Sequence, residues 1–186
     1  IVGTPASTSH ALVGAKGDAD NGNDSGSAYV FRWNGSAWVQ EQKLLPLDGA
    51  ASDFFGESVS VSGDMAVVGS DGDDDNGSGS GSAHVFRWNG STWVQEQKLL
   101  PSDGAASNFF GISVSISGDV AVVGALFDDD NGDFSGSAYV FRRNGSAWVQ
   151  EQKLLASDGA SGDNFGRSVS VSGDVALVGA QLDDDN

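Results

Sequence analysis

Cysteine is absent from the 186 residues. That excludes disulfides, thiol nucleophiles and cysteine zinc sites and leaves the compartment open. Proline occurs three times against 27 glycines, a balance that points to many tight turns rather than to collagen or a proline-rich linker. Basic side chains are few: nine Lys and Arg stand against 26 Asp and Glu, a net charge of −17. Such a chain repels polyanions, so nucleic acid is not an expected partner; the same charge favours solubility and attracts cations. No apolar run approaches about 18 residues, so membrane insertion is not expected. There is no initiator Met or signal peptide, Ile1 reads as the inside of a strand and Asn186 as the inside of a loop. The chain is therefore expected to be a window on a longer, processed protein.

What is present is self-similarity. Leu12-Val13-Gly14, Val67-Val68-Gly69, Val122-Val123-Gly124 and Leu177-Val178-Gly179 recur at a constant step of 55 residues, and internal repeats take precedence over every other reading. Counted from these triplets, the copies run 12–66, 67–121 and 122–176, and 177–186 begins a fourth. Residues 1–11 stand where a preceding copy would end and match it poorly. The segment from Val30 to Leu45 differs from that from Val85 to Leu100 only at Ala37 and Thr92, and from that at Val140 to Leu155 only where Arg143 replaces Trp33.

Within one unit, Ser58 to Ser62 alternates small polar and apolar residues, the period of a strand. Ser62-Gly63-Asp64 is a turn, and Met65 to Gly69 a more buried strand. Asp71 to Ser80 is an acidic, glycine-rich loop, followed by a strand from Ser82 to Trp88. Asn89-Gly90 predicts a type I′ hairpin with both residues at positive φ, and the return strand runs from Ser91 to Leu99. No stretch has helical spacing. The fold class is therefore all-β, with tandem four-stranded antiparallel units that must stack to bury their faces, as propeller blades or an open propeller-like array. The small side chains of the Ser/Val strand suit a crowded centre, and the polar Val-Gln-Glu-Gln-Lys strand suits an outer edge that resists unwanted pairing.

Phe55-Gly56, Phe110-Gly111 and Phe165-Gly166, each followed by a Ser/Val strand, the Gly-Asp turn, the Val-Gly triplet and the acidic loop, resemble the FG-GAP repeat family. The resemblance covers nearly all of the chain after residue 11. It implies a β-propeller of the kind found in integrin α-chain heads, an extracellular or cell-surface setting, adhesion or ligand binding, and calcium in the blade loops. The integrin-type loop reads DxDxDGxxD; the loops here, Asp18-Ala19-Asp20-Asn21-Gly22, Asp73-Asp74-Asp75-Asn76-Gly77 and Asp128-Asp129-Asp130-Asn131-Gly132, depart from it.

Two readings of these loops stand side by side. Asp18, Asp20 and Asn21, with Asp73, Asp75 and Asn76 and with Asp128, Asp130 and Asn131, are candidate oxygen ligands for Ca2+. The same residues also suit solvated turns, since Asp and Asn tolerate left-handed backbone. Asn23, Asn34, Asn76, Asn89 and Asn144 begin Asn-X-Ser sequons and are candidate glycosylation sites, although Asn-Gly also suits a tight turn. Trp38, Trp93 and Trp148, with Phe31, Phe86 and Phe141, read as core between units. Trp33 and Trp88 flank hairpins, and Arg143 in their place points to a partly exposed position. His84 stands where Tyr29 and Tyr139 stand, in a strand, and His10 occupies an unrelated place. Neither a Ser-His-Asp set nor a metal triad is suggested, so no enzyme is expected. The expected role is a non-enzymatic extracellular scaffold that forms a surface or fibre assembly, with self-association or further repeats of the same protein as partner. The alternative is a calcium-dependent adhesin that binds a glycan or protein ligand.

Overall fold

Alternation of small polar and apolar residues, broken by Gly-Asp and Asn-Gly turns, yields only strands and turns in the described residues. The structure is a computed structural model and describes residues 9–184; Ile1 and Asn186 lie outside them. The first sheet holds β1 (His10–Ala15), β2 (Ser27–Trp33) and β3 (Trp38–Leu44). The second holds β4 (Val59–Ser62), β5 (Met65–Ser70), β6 (Ser82–Trp88) and β7 (Trp93–Leu99). The third repeats it with β8 (Phe110–Ser117), β9 (Val120–Ala125), β10 (Ser137–Asn144) and β11 (Ala147–Leu154). The fourth holds β12 (Phe165–Ser172) and β13 (Val175–Ala180). Neighbours in sequence are neighbours in the sheet and all pairs are antiparallel. The second and third are the four-stranded meanders of propeller blades, and the first and fourth show three and two strands of the same order among the described residues. Their phase differs from the counted copies: the boundaries after residues 66, 121 and 176 fall inside β5, β9 and β13.

The second and third blades bury both faces, which is why their second strands read as continuous apolar runs. Val67 and Val68 are consecutive and both fully buried, but they serve opposite junctions. Leu12, Val30 and Leu44 of the first blade pack on Phe55, Val68, Phe86 and Trp93 of the second. Val67, Val85 and Leu99 then meet Phe110, Val123, Tyr139, Phe141 and Trp148 of the third, and Val122, Val140 and Leu154 meet Phe165, Val169 and Val178 of the fourth.

The Phe-Gly pair brings backbones together at these junctions. Gly26, Gly81 and Gly136 each form a parallel bridge to the following Phe55, Phe110 and Phe165. Gly111 adopts a φ of 95°, and its carbonyl lies where a Cβ on Gly69 would fall, so a side chain at either position would push two blades apart. The inner-strand serines do more than save space. Ser58 and Ser113 donate from Oγ to the carbonyls of Gly111 and Gly166, both at 2.7 Å, and Ser60 and Ser115 accept from the amides of Ile116 and Val171 at 3.1 and 3.0 Å.

The hairpin turns differ from the type I′ expectation. In the first two blades Gly35 and Gly90 alone have positive φ. The asparagine instead turns its side chain inward: Asn34 Oδ1 accepts from the amides of Ser36 and Ala37, and Asn89 Oδ1 from those of Ser91 and Thr92. That side-chain bond makes the turn without left-handed backbone at Asn. In the third blade Asn144 pairs with Ala147 across a two-residue loop.

Candidate functional site

The acidic loop joins the second and third strands of each blade, and the outer strand carries a lysine back beneath it. In the second blade Lys98 Nζ lies 2.6 Å from Asp73 Oδ2, 2.7 Å from Asp75 Oδ2 and 2.9 Å from Asp48 Oδ2. In the third, Lys153 Nζ lies 3.0 Å from Asp128 Oδ1, 2.7 Å from Asp130 Oδ2 and 2.8 Å from Asp103 Oδ2. Asp48 and Asp103 come from the loop that leaves the preceding blade. The first blade has a two-carboxylate version, with Lys43 on Asp18 at 2.8 Å and on Asp20. The second and third blades thus have three carboxylates each, and among the described residues the first has its two loop carboxylates.

Around each lysine the remaining groups close in. Ser27 and Tyr29 both donate to Asp18 Oδ2 at 2.9 Å. Tyr139 donates to Asp128 and Asp103, also at 2.9 Å, and the ammonium groups of Lys43 and Lys153 lie 5.4 and 5.2 Å from the tyrosine ring centroids, within range of the ring's negative face. In the second blade His84 replaces the tyrosine. It is buried, bonded to Ser82 Oγ through Nε2 at 3.0 Å and to Gln95 through Nδ1 at 3.3 Å. Burial first, and Lys98 next, push its pKa down to about 4, so it is neutral at physiological pH.

Burial opposes the charge on Lys98 and Lys153, but their hydrogen bonds to the aspartates outweigh it and raise both pKa values. Lys43, far less enclosed, is raised first by its bond to Asp18. On the acid side, Lys43 holds Asp18 well below the usual carboxylate range. Burial opposes ionisation of Asp48 and Asp103, and the lysine bond outweighs it, so both are lowered.

The candidate calcium ligands are thus brought together, but around an ammonium. Calcium takes six to eight oxygens at about 2.3–2.6 Å. An ion on Asp48, Asp73 and Asp75 would have to occupy the volume of Lys98 Nζ. Other donors are committed to the loop: Asp73 Oδ1 accepts from the Asp75 amide at 3.1 Å, and Asp74 Oδ1 from the Gly79 amide at 2.7 Å. Asn21, Asn76 and Asn131 lie outside the cluster, with backbone amides that donate to Ser25, Ser80 and Ser135. No group of three or more His, Cys, Asp or Glu among the described residues is arranged to hold a metal ion. With lysine seated, these residues do not fit calcium. All five sequon asparagines, Asn23, Asn34, Asn76, Asn89 and Asn144, are exposed.

The outer strand holds a second set of contacts that the sequence did not announce. Its polar residues face the next blade rather than water alone. Gln42 Nε2 donates to the carbonyl of Trp93 while its Oε1 accepts from the Trp93 amide, both at 2.8 Å, and Gln97 holds Trp148 in the same way. Trp93 Nε1 donates to Glu41 at 3.3 Å and Trp148 Nε1 to Glu96 at 3.4 Å. Arg143, where Trp33 and Trp88 stand in other blades, is not a loose surface residue: its Nη2 lies 3.0 Å from Glu96 across the junction. The signal that could have found this was the invariance of Gln and Glu on a strand that solvent alone would leave free to vary.

The chain matches the FG-GAP repeat over residues 6–31, 38–86, 93–141 and 148–186. No curated protein matches it. With the Phe-Gly bridges, the four-stranded blades and a match that spans most of its length, the chain belongs to the FG-GAP repeat family.

Proposed function

We propose that the chain is a non-enzymatic scaffold at the cell surface or outside the cell, built to add identical blades end to end. FG-GAP repeats are typical of extracellular and surface proteins, and no helix among the described residues is long and apolar enough to cross a membrane. The observation that carries the reading is that near-identical blades cover one another through the same contacts at successive junctions. On the first blade Val13 and Trp38 are 52% and 48% exposed, while their counterparts Val68 and Trp93, covered by a neighbour, are 0% and 3%. On the fourth, Val175 and Leu177 are 63% and 68% exposed, on the face that in earlier blades meets the next unit. Among the described residues Lys43 meets two carboxylates where Lys98 and Lys153 meet three, and Asp158, which matches Asp48 and Asp103, is exposed with no lysine upon it.

A further blade, from the same protein or from a second copy, would join by the contacts that join the described blades, an association that either closes a ring or extends. Sedimentation velocity over a wide concentration range is expected to show growth into larger species, and Leu177→Asp to abolish it. A monomer at every concentration contradicts the assembly. Labelling of intact producing cells tests the location, with label only after lysis as the contrary result. On export through a glycosylating pathway the five exposed sequons would carry sugar, read as a mass shift. The adhesin alternative gains no separate support: the exposed Trp33 and Trp38 that would stack on a sugar lie at the open end, and Trp93 and Trp148 are buried.

A further inference from the structure

The three lysine clusters differ in their histidine or tyrosine, but each lysine finds the same two loop aspartates. Asp73 and Asp128 have side chains only 6% and 3% exposed. A carboxylate buried to that degree needs a positive charge beside it, and calcium is what the family resemblance implies for these loops. We propose that Lys43, Lys98 and Lys153 are the resident cations of their blade loops, a tethered ammonium in the place of calcium, and that the carboxylates they leave behind would take a divalent ion.

Three features support the exchange. Carboxylate oxygens from separate segments converge on the ammonium: Oδ2 of the first and third loop aspartates in the second blade, with Oδ2 of Asp48 from the blade before. The ammonium is fixed from beneath by a ring face in the first and third blades, so it is placed, not wandering. In the second and third blades its third partner comes from the preceding blade, so Lys98 and Lys153 are also clamps between units. Because the cation is covalently attached, chelators cannot remove it and the array holds its loops at any calcium concentration. The inference concerns the interior of each blade and stands whether or not the ends dock.

Thermal denaturation in EDTA and in millimolar calcium tests it. The unaltered chain is expected to melt at the same temperature in both. A Lys98→Ala/Lys153→Ala variant is expected to melt lower in EDTA and to recover by at least about 4 °C in calcium. Should that variant be unfolded in EDTA, calcium-dependent return of its β-sheet circular dichroism is the equivalent supporting result. Lys98→Met alone gives the same comparison with one cluster changed. Stabilisation of the unaltered chain by calcium overturns the proposal, as does indifference of both variants to it.

Discussion

Ser52, Ser107 and Gly162 occupy one place in three blades, and all adopt left-handed backbone, with φ of 68°, 66° and 92°. A residue with a Cβ is strained there by about 1–2 kcal/mol, while glycine loses more freedom on folding. Ser107→Gly is therefore expected to raise stability by about 0.5–1 kcal/mol, read as the shift of a urea midpoint; a loss would mean that the serine side chain contributes more than its backbone strain. The same scale shows what the sequence conceals. The period of two put Lys98 on one face of its strand. It could not say that Asp73, 25 residues earlier, and Asp48, 50 residues earlier, meet on that face. Acidic loops suggested a metal because their own counter-charge lay on a strand whose polarity had a sufficient explanation in solvent.

Strands and their order were legible because alternation, Gly-Asp turns and Asn-Gly turns are local signals. The bulge in every outer strand was not. Val85 pairs with Gln97 and Phe86 with Gln95, so Glu96 is the extra residue; Glu41 and Glu151 are extra in the same way. In a regular strand two successive side chains point to opposite faces. The bulge re-aims one of them, so Glu41 and Gln42 both reach Trp93, and Glu96 and Gln97 both reach Trp148. Gln97→Ala deletes two 2.8 Å bonds to the Trp148 backbone and leaves that amide and carbonyl without their partner. It is expected to lower stability by about 1–3 kcal/mol, measured by chemical denaturation. A change near zero would show that water replaces the amide and that the junction is held by apolar packing alone.

At the scale of the whole molecule the blades converge. Lys16 from the first reaches Glu57 at 2.6 Å, and Arg167 from the fourth is near enough to influence Asp71 in the second. Burial first, and Glu57 next, raise the Asp71 pKa to about 6. A carboxyl raised on folding binds its proton more tightly in the native state, so its contribution to stability grows as pH falls from about 7 towards 4. Asp48 and Asp103, lowered by their lysines, act oppositely: their contribution is complete above the unfolded value of about 4 and is lost below it. The melting temperature is expected to peak near about pH 5, and Asp71→Asn to flatten the rise between pH 7 and 5. A steady fall over that range in the unaltered chain refutes the assignment. The bonds that join blades have a hazard of their own, because Gln42 would accept Trp148 as readily as Trp93. Two paired differences tell the joints apart. His10 lies 3.3 Å from Glu41 and beneath Trp88 and Trp93 at the first, whereas Met65 stands in its place at the second and Arg143 supplies the charge to Glu96. Were the third blade to settle on the first, Arg143 and His10 would crowd one glutamate. These few unmatched side chains act as address labels, and they let a nascent chain of near-copies find the correct neighbour instead of skipping one.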